Sequence, residues 1–474
     1  MTVHLSKAAS RPRKGSVPVH AANRTQFTAL TQQLDPAMRR WLQTVGFNGA
    51  PDTHALLPAA DGCIAAVWAG VRSAADPWAV ALLPRALPAG SYHLADPGAG
   101  LALDAGAAAM SWELGSYTFD LYKAARRAPA ELSLPSSDAA QRALILAGAI
   151  ASTRDLINTP AEHMGPAALA EAVRLVARQH GATFKQTVGD ALVKAGFPAI
   201  HAVGRAADAA SGRAPRLIEL NWGKPKDPKL TIVGKGVCFD SGGLNIKGAD
   251  GMRLMKKDMG GAANALGLAQ MIMALKLPLR LQLLIPAVEN AIAGNAFRPG
   301  DVFKTRQGLH IEIGNTDAEG RVILCDALAY GAEGKPALMI DLATLTGAAR
   351  IALGSQLPAL FCRSISQARE LVDLSMTVQD PLWHMPLWAP YHGAIESDIA
   401  DIVNTTLFRS TGRGPMAGAI NAALFLQDFV PAAQDWLHID LYAWNDGAWP
   451  GRPPGGEAQT LRTLLAYLQQ RFGV

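Results

Sequence analysis

The chain has 474 residues, long for a single core, so two domains are expected; 49% hydrophobic against 18% charged residues exclude a fibrous or disordered class. Its net charge of +5 permits nucleic acid or anionic partners without demanding them, since an ordinary basic surface gives the same excess. Four widely spaced cysteines (Cys63, Cys238, Cys325, Cys362) form no CxxC pair and read as reduced, buried thiols of a cytosolic protein. No apolar run nears the roughly 20 residues that cross a bilayer.

The opening MTVHLSKAASRPRKGSVPV is basic and free of acids, and reads as a frayed tail rather than a secretory signal. Strand-like runs (CIAAVWAGV, AVALLP, GLALDAG) then alternate with the helical candidates FTALTQQLDPAMRRWLQTV and AMSWELGSYTFDLYKA. A linker helix is expected at about 138–158, ending at Thr159-Pro160 and followed by a further helix. The expected division is a smaller N-terminal α/β domain over 1–160 and a larger C-terminal α/β domain over 161–474.

In the larger domain LTIVGKG, LQLLIPAVEN, HIEIGN, ALMIDLATLTG, LPALFC and WLHIDLYAW read as strands covered on both faces, giving a mostly parallel central sheet. AANALGLAQMIMALK and RVILCDALAYGAE read as helices between them. Charges gather just past the strand ends, where open α/β sheets place ligands. TIVGKGVCFDSGGLNIKGADGMRLMKKDMGGAA supplies Lys235, Asp240, Lys247 and Asp258, and GNTDAEGR supplies Asp317, Glu319 and Arg321. In an extended loop Asp317 and Glu319 would point to one side. Converging carboxylates cannot all stay ionised, and divalent cations resolve that conflict. Arg321 can neither ligate a cation nor act as a base, but it can hold an anion; Lys247 offers similar positive charge. Taken singly, Asp258 suits the cap of a helix starting near Gly260, and Glu289 is an ordinary loop acid. The scattered histidines argue against a His-based zinc site, and His438 reads as structural.

NTDAEGR (315–321), VGKGVCFDSGGLNIK (233–247) and MKKDMGGAA (255–263) resemble the leucyl aminopeptidase family of two-metal exopeptidases, and RDLINTPAEHMGP, FRPGDV, ATLTGAARIALG and SDIADIVN extend the likeness over about 150–445. The resemblance implies that Lys235, Asp240, Asp258 and Glu319 bind the tighter metal and that Asp240, Asp317 and Glu319 bind the more exchangeable one. It implies catalytic roles for Lys247 and Arg321, with a bicarbonate on Arg321 relaying protons, and two divalent ions (Mn²⁺ or Zn²⁺) as cofactors. A ligating Lys235 must be neutral, so metal occupancy should rise with pH. The resemblance further implies a macro-like N-terminal domain, peptide substrates with a free N-terminus, and a homo-hexamer built from two trimers. Met255, Thr344 and Gly347 would line the side-chain pocket. The chain departs from the family pattern at HIDLYAWNDGAWPGRPPGGEAQTLRTL, where Tyr442, Trp444 and Asn445 would reshape that pocket. A DNA-binding role, a Cys-Gly dipeptidase and a phosphoesterase are the rival readings.

Overall fold

The computed structural model describes residues 14–96, 100–125, 127–134, 137–406 and 416–473, so most of the basic N-terminal stretch lies outside the described residues. The chain divides into two compact units: Met1–Ser152 with Gly447–Pro454, and Thr153–Asp446 with Gly455–Val474. The boundary falls within a single helix, Asp138–Asn158.

The first unit is built on a five-stranded sheet in the order Thr53–Pro58, Ile64–Gly70, Val17–Ala22, Ser91–Leu94, Glu131–Ser133. Only the first pair, a hairpin, is antiparallel. Phe27 and Leu42, from two short helices, pack on Trp68 of the sheet. The helix pair is separated by Asp35, whose carboxylate caps the second helix, and by Pro36 at its first position. Two expected strands are absent. AVALLP turns into the short helix Leu83–Ala86 and buries Ala79, Val80 and Leu83 without joining the sheet. GLALDAG ends at Asp104, whose side chain accepts from Ala107 N at 2.8 Å and so starts the helix Ala105–Ser116. That helix stops at Tyr117, where the backbone is extended, well short of the expected Ala124.

In the second unit the sheet runs Trp383–His384, Ala359–Cys362, Trp436–Asp440, Leu338–Ala343, Lys229–Gly234, Arg280–Asn290, Arg216–Trp222, Thr183–Val188. The middle four are mutually parallel, and antiparallel pairing begins on either side of them. The sheet is thus mixed and mostly parallel at its centre. Parallel register brings the carboxyl ends of neighbouring strands to one edge: Leu342 lies beside Gly234, and Ala343 beside Asp440. Strand Arg280–Asn290 is 11 residues long and pairs first with Lys229–Gly234, then with Gly236–Asp240. Lys235 sits at the joint between those two segments. Gly234 is obligatory there, because a Cβ would lie 2.6 Å from Ala262 Cα on the covering helix.

The helices Gly260–Ala274 and Glu319–Glu333 are buried almost all round, as expected of segments pressed on a sheet. Each buried Leu or Ile in them contributes about 1.5–3 kcal/mol by leaving water. HIEIGN departs from expectation: His310–Glu312 belongs to a separate three-stranded sheet with Val302–Lys304 and Ile402–Val403. Its alternation of exposed His310 and buried Ile311 is that of a half-buried strand, not a central one. His438 is fully buried and bonded through Nδ1 to Asp341 at 2.6 Å.

Candidate functional site

The carboxyl edge of the central strands carries the acid cluster. Lys235 is 2% exposed, with Nζ 2.8 Å from Asp258 Oδ2 and 3.0 Å from Glu319 Oε1, and it donates to the Thr344 carbonyl at 2.8 Å. Burial works against its charge, but Asp258, Glu319 and Asp240 outweigh that and hold it above the usual lysine range. Lys247 lies in the loop after Gly236–Asp240, its Nζ 2.8 Å from Asp240 Oδ2 and also paired with Asp317 Oδ1. It too is pushed upward: burial is overcome by Asp240 and Glu319.

Asp240 ends its strand, and its Oδ1 accepts from Gly242 N at 2.9 Å and from Asn290 Nδ2 at 2.8 Å. Asp258 accepts from Thr344 Oγ1 at 2.9 Å, so it does not cap the helix at Gly260, whose N-cap is Met259 with no side-chain bond. The segment 315–319 is a turn running into a helix whose first residue is Glu319, not an extended loop. Asp317 and Glu319 converge because that turn folds back, not because of strand alternation. Candidate ligand oxygens of Asp240, Asp317 and Glu319 all lie within 4.8 Å of one another. Burial, then repulsion from Asp240, raises both Asp317 and Glu319, Glu319 strongly. Glu319 is 1% exposed, and its buried Oε2 has no hydrogen-bond partner. Gly320 is required by close approach, since a Cβ would stand 2.5 Å from Lys235 Cε.

Arg321 follows on the same helix turn and is buried; burial pushes it down to about 10. Its buried Nε has no hydrogen-bond partner among the described residues. Such a guanidinium is suited to an incoming anion. Glu289, a loop acid by its sequence context, is instead a buried strand residue paired with Arg213 at 3.2 Å.

A ring of amides holds the acids in place, and sequence reasoning missed it. Asn404 is fully buried and uses both ends of its side chain on the 314–318 turn. Its Oδ1 accepts from Gly314 N at 2.8 Å and Asn315 N at 3.2 Å, and its Nδ2 donates to Asn315 O at 2.7 Å and Ala318 O at 3.2 Å. Asn290 links Asp240 to the Thr316 carbonyl (3.0 Å), and Asn245 Oδ1 accepts from Thr316 N at 2.8 Å. The available signal was an asparagine closing each of the apolar segments VEN and IVN.

Of the expected pocket residues, Met255 opens the short helical turn Met255–Met259, Thr344 touches Asp258, and Gly347 starts the helix Gly347–Leu353. Tyr442 is half-buried, with Arg350 donating to its hydroxyl at 3.1 Å. Asn445 is buried in a two-stranded ribbon with Gly455–Gly456. Lys257, unmarked in the sequence, is buried under the Tyr442 ring; burial pushes it down to about 8.

Among the described residues no helix is long and apolar enough to cross a membrane. A profile described as "Cytosol aminopeptidase family, catalytic domain" matches residues 151–465, and one described as "M17 aminopeptidase, N-terminal domain" matches 17–135. A probable cytosol aminopeptidase of Syntrophotalea carbinolica is 42% identical over 336 residues, 70% of this chain and 65% of that relative's length. The crystal structure of a cytosol aminopeptidase from Coxiella burnetii superposes with a TM-score of 0.90 at 46% identity, covering 98% of this chain and 99% of the other. A bottromycin maturation enzyme in complex with Mn gives 0.84 at 33% identity, over 96% and 99% of the two chains. The chain therefore belongs to the cytosol aminopeptidase family and is a metal-dependent aminopeptidase, a hydrolase of peptide bonds.

Proposed function

We propose that this chain removes the N-terminal residue from peptides with a free α-amine, using two divalent cations, manganese or zinc. Lys235, Asp240, Asp258 and Glu319 would hold one ion, and Asp240, Asp317 and Glu319 the other. The observation that carries this is the packing of the Asp240, Asp317 and Glu319 oxygens within 4.8 Å, with Glu319 Oε2 buried and unpartnered. Carboxylates so close, with Asp240 and Glu319 buried, call for cations, and an oxygen-rich set with one nitrogen suits Mn²⁺ or Zn²⁺. When bound, the ions supply an acidified water and polarise the scissile carbonyl.

The chain's own groups do the rest. Lys247, beside Asp240 and Asp317, stabilises negative charge as it builds on the carbonyl oxygen. Arg321 stays protonated and cannot take a proton, so it serves by holding a small basic anion, bicarbonate, on its unsatisfied Nε. Thr344 keeps Asp258 oriented through its hydroxyl and Lys235 through its carbonyl. We further infer a cytoplasmic homo-hexamer of two trimers, for which the family membership is the support; sedimentation of the purified protein at six times the chain mass is the expected result.

The test is chelation and restoration across pH. Stripping metal should abolish turnover of a leucine anilide, and Mn²⁺ or Zn²⁺ should restore it. Asp317, Glu319 and Lys235 all bind protons more tightly than their free counterparts. Each must be deprotonated to ligate, so metal binding releases protons and affinity rises with pH. Mn²⁺ titrations from about pH 6 to 9 should show this rise; a flat series would remove Lys235 from the ligand set.

Asn404→Ala should weaken metal binding by roughly ten- to a hundredfold, because supporting contacts of this kind orient ligands. The same titration reads it, and unchanged affinity would show that the turn holds its shape unaided.

A further inference from the structure

Two cations meet over one aromatic ring beside the acid cluster. Lys257 is 6% exposed, and its Nζ lies 4.6 Å from the centre of the Tyr442 ring. Arg350 lies 5.0 Å from the same centre and donates from Nη1 to the Tyr442 hydroxyl at 3.1 Å. The acids nearby are already engaged. Asp258 is bound to Thr344 and Lys235. Asp440 accepts from Leu345 N at 3.0 Å, Thr346 N at 3.2 Å and Thr346 Oγ1 at 2.6 Å. Among the described residues no hydrogen bond or ion pair satisfies the Lys257 ammonium.

A ring face attracts a cation more weakly than a carboxylate does, and two cations sharing one ring repel. A single carboxylate between them would relieve both and replace the water that burial removes from Lys257. The cations stand on the elements that carry the expected pocket residues. Lys257 comes two residues after Met255 in one helical turn, and Arg350 three after Gly347, on the same helix face.

We propose that this pocket takes an acidic side chain, aspartate or glutamate, at the peptide's N-terminal residue, its carboxylate meeting Lys257 and Arg350 across Tyr442. The proposal rests on the aminopeptidase reading and on the side-chain pocket that the family resemblance implies at Met255, Thr344 and Gly347. The side chain, rather than the peptide's own C-terminus, supplies the carboxylate, because both cations belong to the pocket's elements.

The experiment compares glutamyl, glutaminyl and leucyl anilides, with glutaminyl-glycine as a substrate bearing a C-terminal carboxylate, all on the metal-loaded enzyme. Glutamyl and glutaminyl groups share shape and differ in charge. The expected kcat/KM for the glutamyl anilide is about tenfold or more above the glutaminyl one. Arg350→Gln, an exposed position, and Lys257→Met should each bring that ratio toward one. A ratio at or below one in the unmodified enzyme, or a ratio untouched by both substitutions, overturns the proposal. A preference for glutaminyl-glycine over the glutamyl anilide would assign the cations to the peptide's C-terminus and overturn it as well. Failure of the metal-loaded protein to cleave any of the four would instead sink the aminopeptidase reading on which it stands.

Discussion

Glu319→Gln is expected to lower kcat/KM on an aminoacyl anilide by roughly a thousandfold or more, and to reduce bound metal below two ions per chain. Glu319 belongs to both proposed ligand sets, and its Oε2 is the buried atom left without a partner. Glutamine keeps the size of the side chain and the start of the helix Glu319–Glu333, so the fold should survive. The stability response should run the other way. Burial and then Asp240 raise the Glu319 carboxyl well above its ordinary value. A carboxyl with a raised folded pKa favours folding while protonated and costs stability once pH passes its unfolded value. At neutral pH the neutral amide removes that cost, so the metal-free variant should melt no lower than the unmodified protein. Added metal should then raise its melting temperature far less. Full metal content together with unimpaired turnover would refute the ligand assignment.

Lys247→Met should separate charge stabilisation from metal binding. Its ammonium sits against Asp240 and Asp317, two groups proposed to ligate, so removing it takes away a competing cation. Metal affinity should hold or tighten, while kcat falls by about a hundred- to a thousandfold, the usual loss when one donor to a developing oxyanion is deleted. KM should change little, because the interaction is made in the transition state. Steady-state kinetics beside a metal titration decide it: weakened metal binding would make Lys247 a structural support, and an unchanged kcat would remove it from the chemistry.

The site was legible in outline because its acids and cations follow strand ends, and strand ends in a parallel sheet gather at one edge. At that edge Lys235 pairs with Asp258 and Glu319, and Lys247 with Asp240. The local conformation was less legible. GNTDAEGR looks like a loop because its composition is polar, yet it turns and enters a helix at Glu319, with hydrogen bonds to Asn404 some 90 residues away. No local pattern announces such a partner. HIEIGN and AVALLP failed for a related reason: short apolar runs fit a central strand, a side sheet or a buried turn equally well until tertiary packing selects one. Lys257 and Arg350 were invisible as a pair, since only the fold brings Tyr442 between them.

The joint at Lys235 has a consequence for how this fold can vary. The strand Arg280–Asn290 is paired in one continuous register with Lys229–Gly234 and with Gly236 and Val237, and the register shifts only between Val288 and Asn290, just before Asp240. Adding or deleting one residue at the joint would turn Gly236 and Val237 to the opposite face and move the register shift that now sets Asp240 against Asn290. A change of spacing in this short stretch should therefore cost the site more than an apolar-for-apolar exchange around it. An insertion or deletion at this joint should empty the site of Asp240 even where the surrounding apolar packing survives.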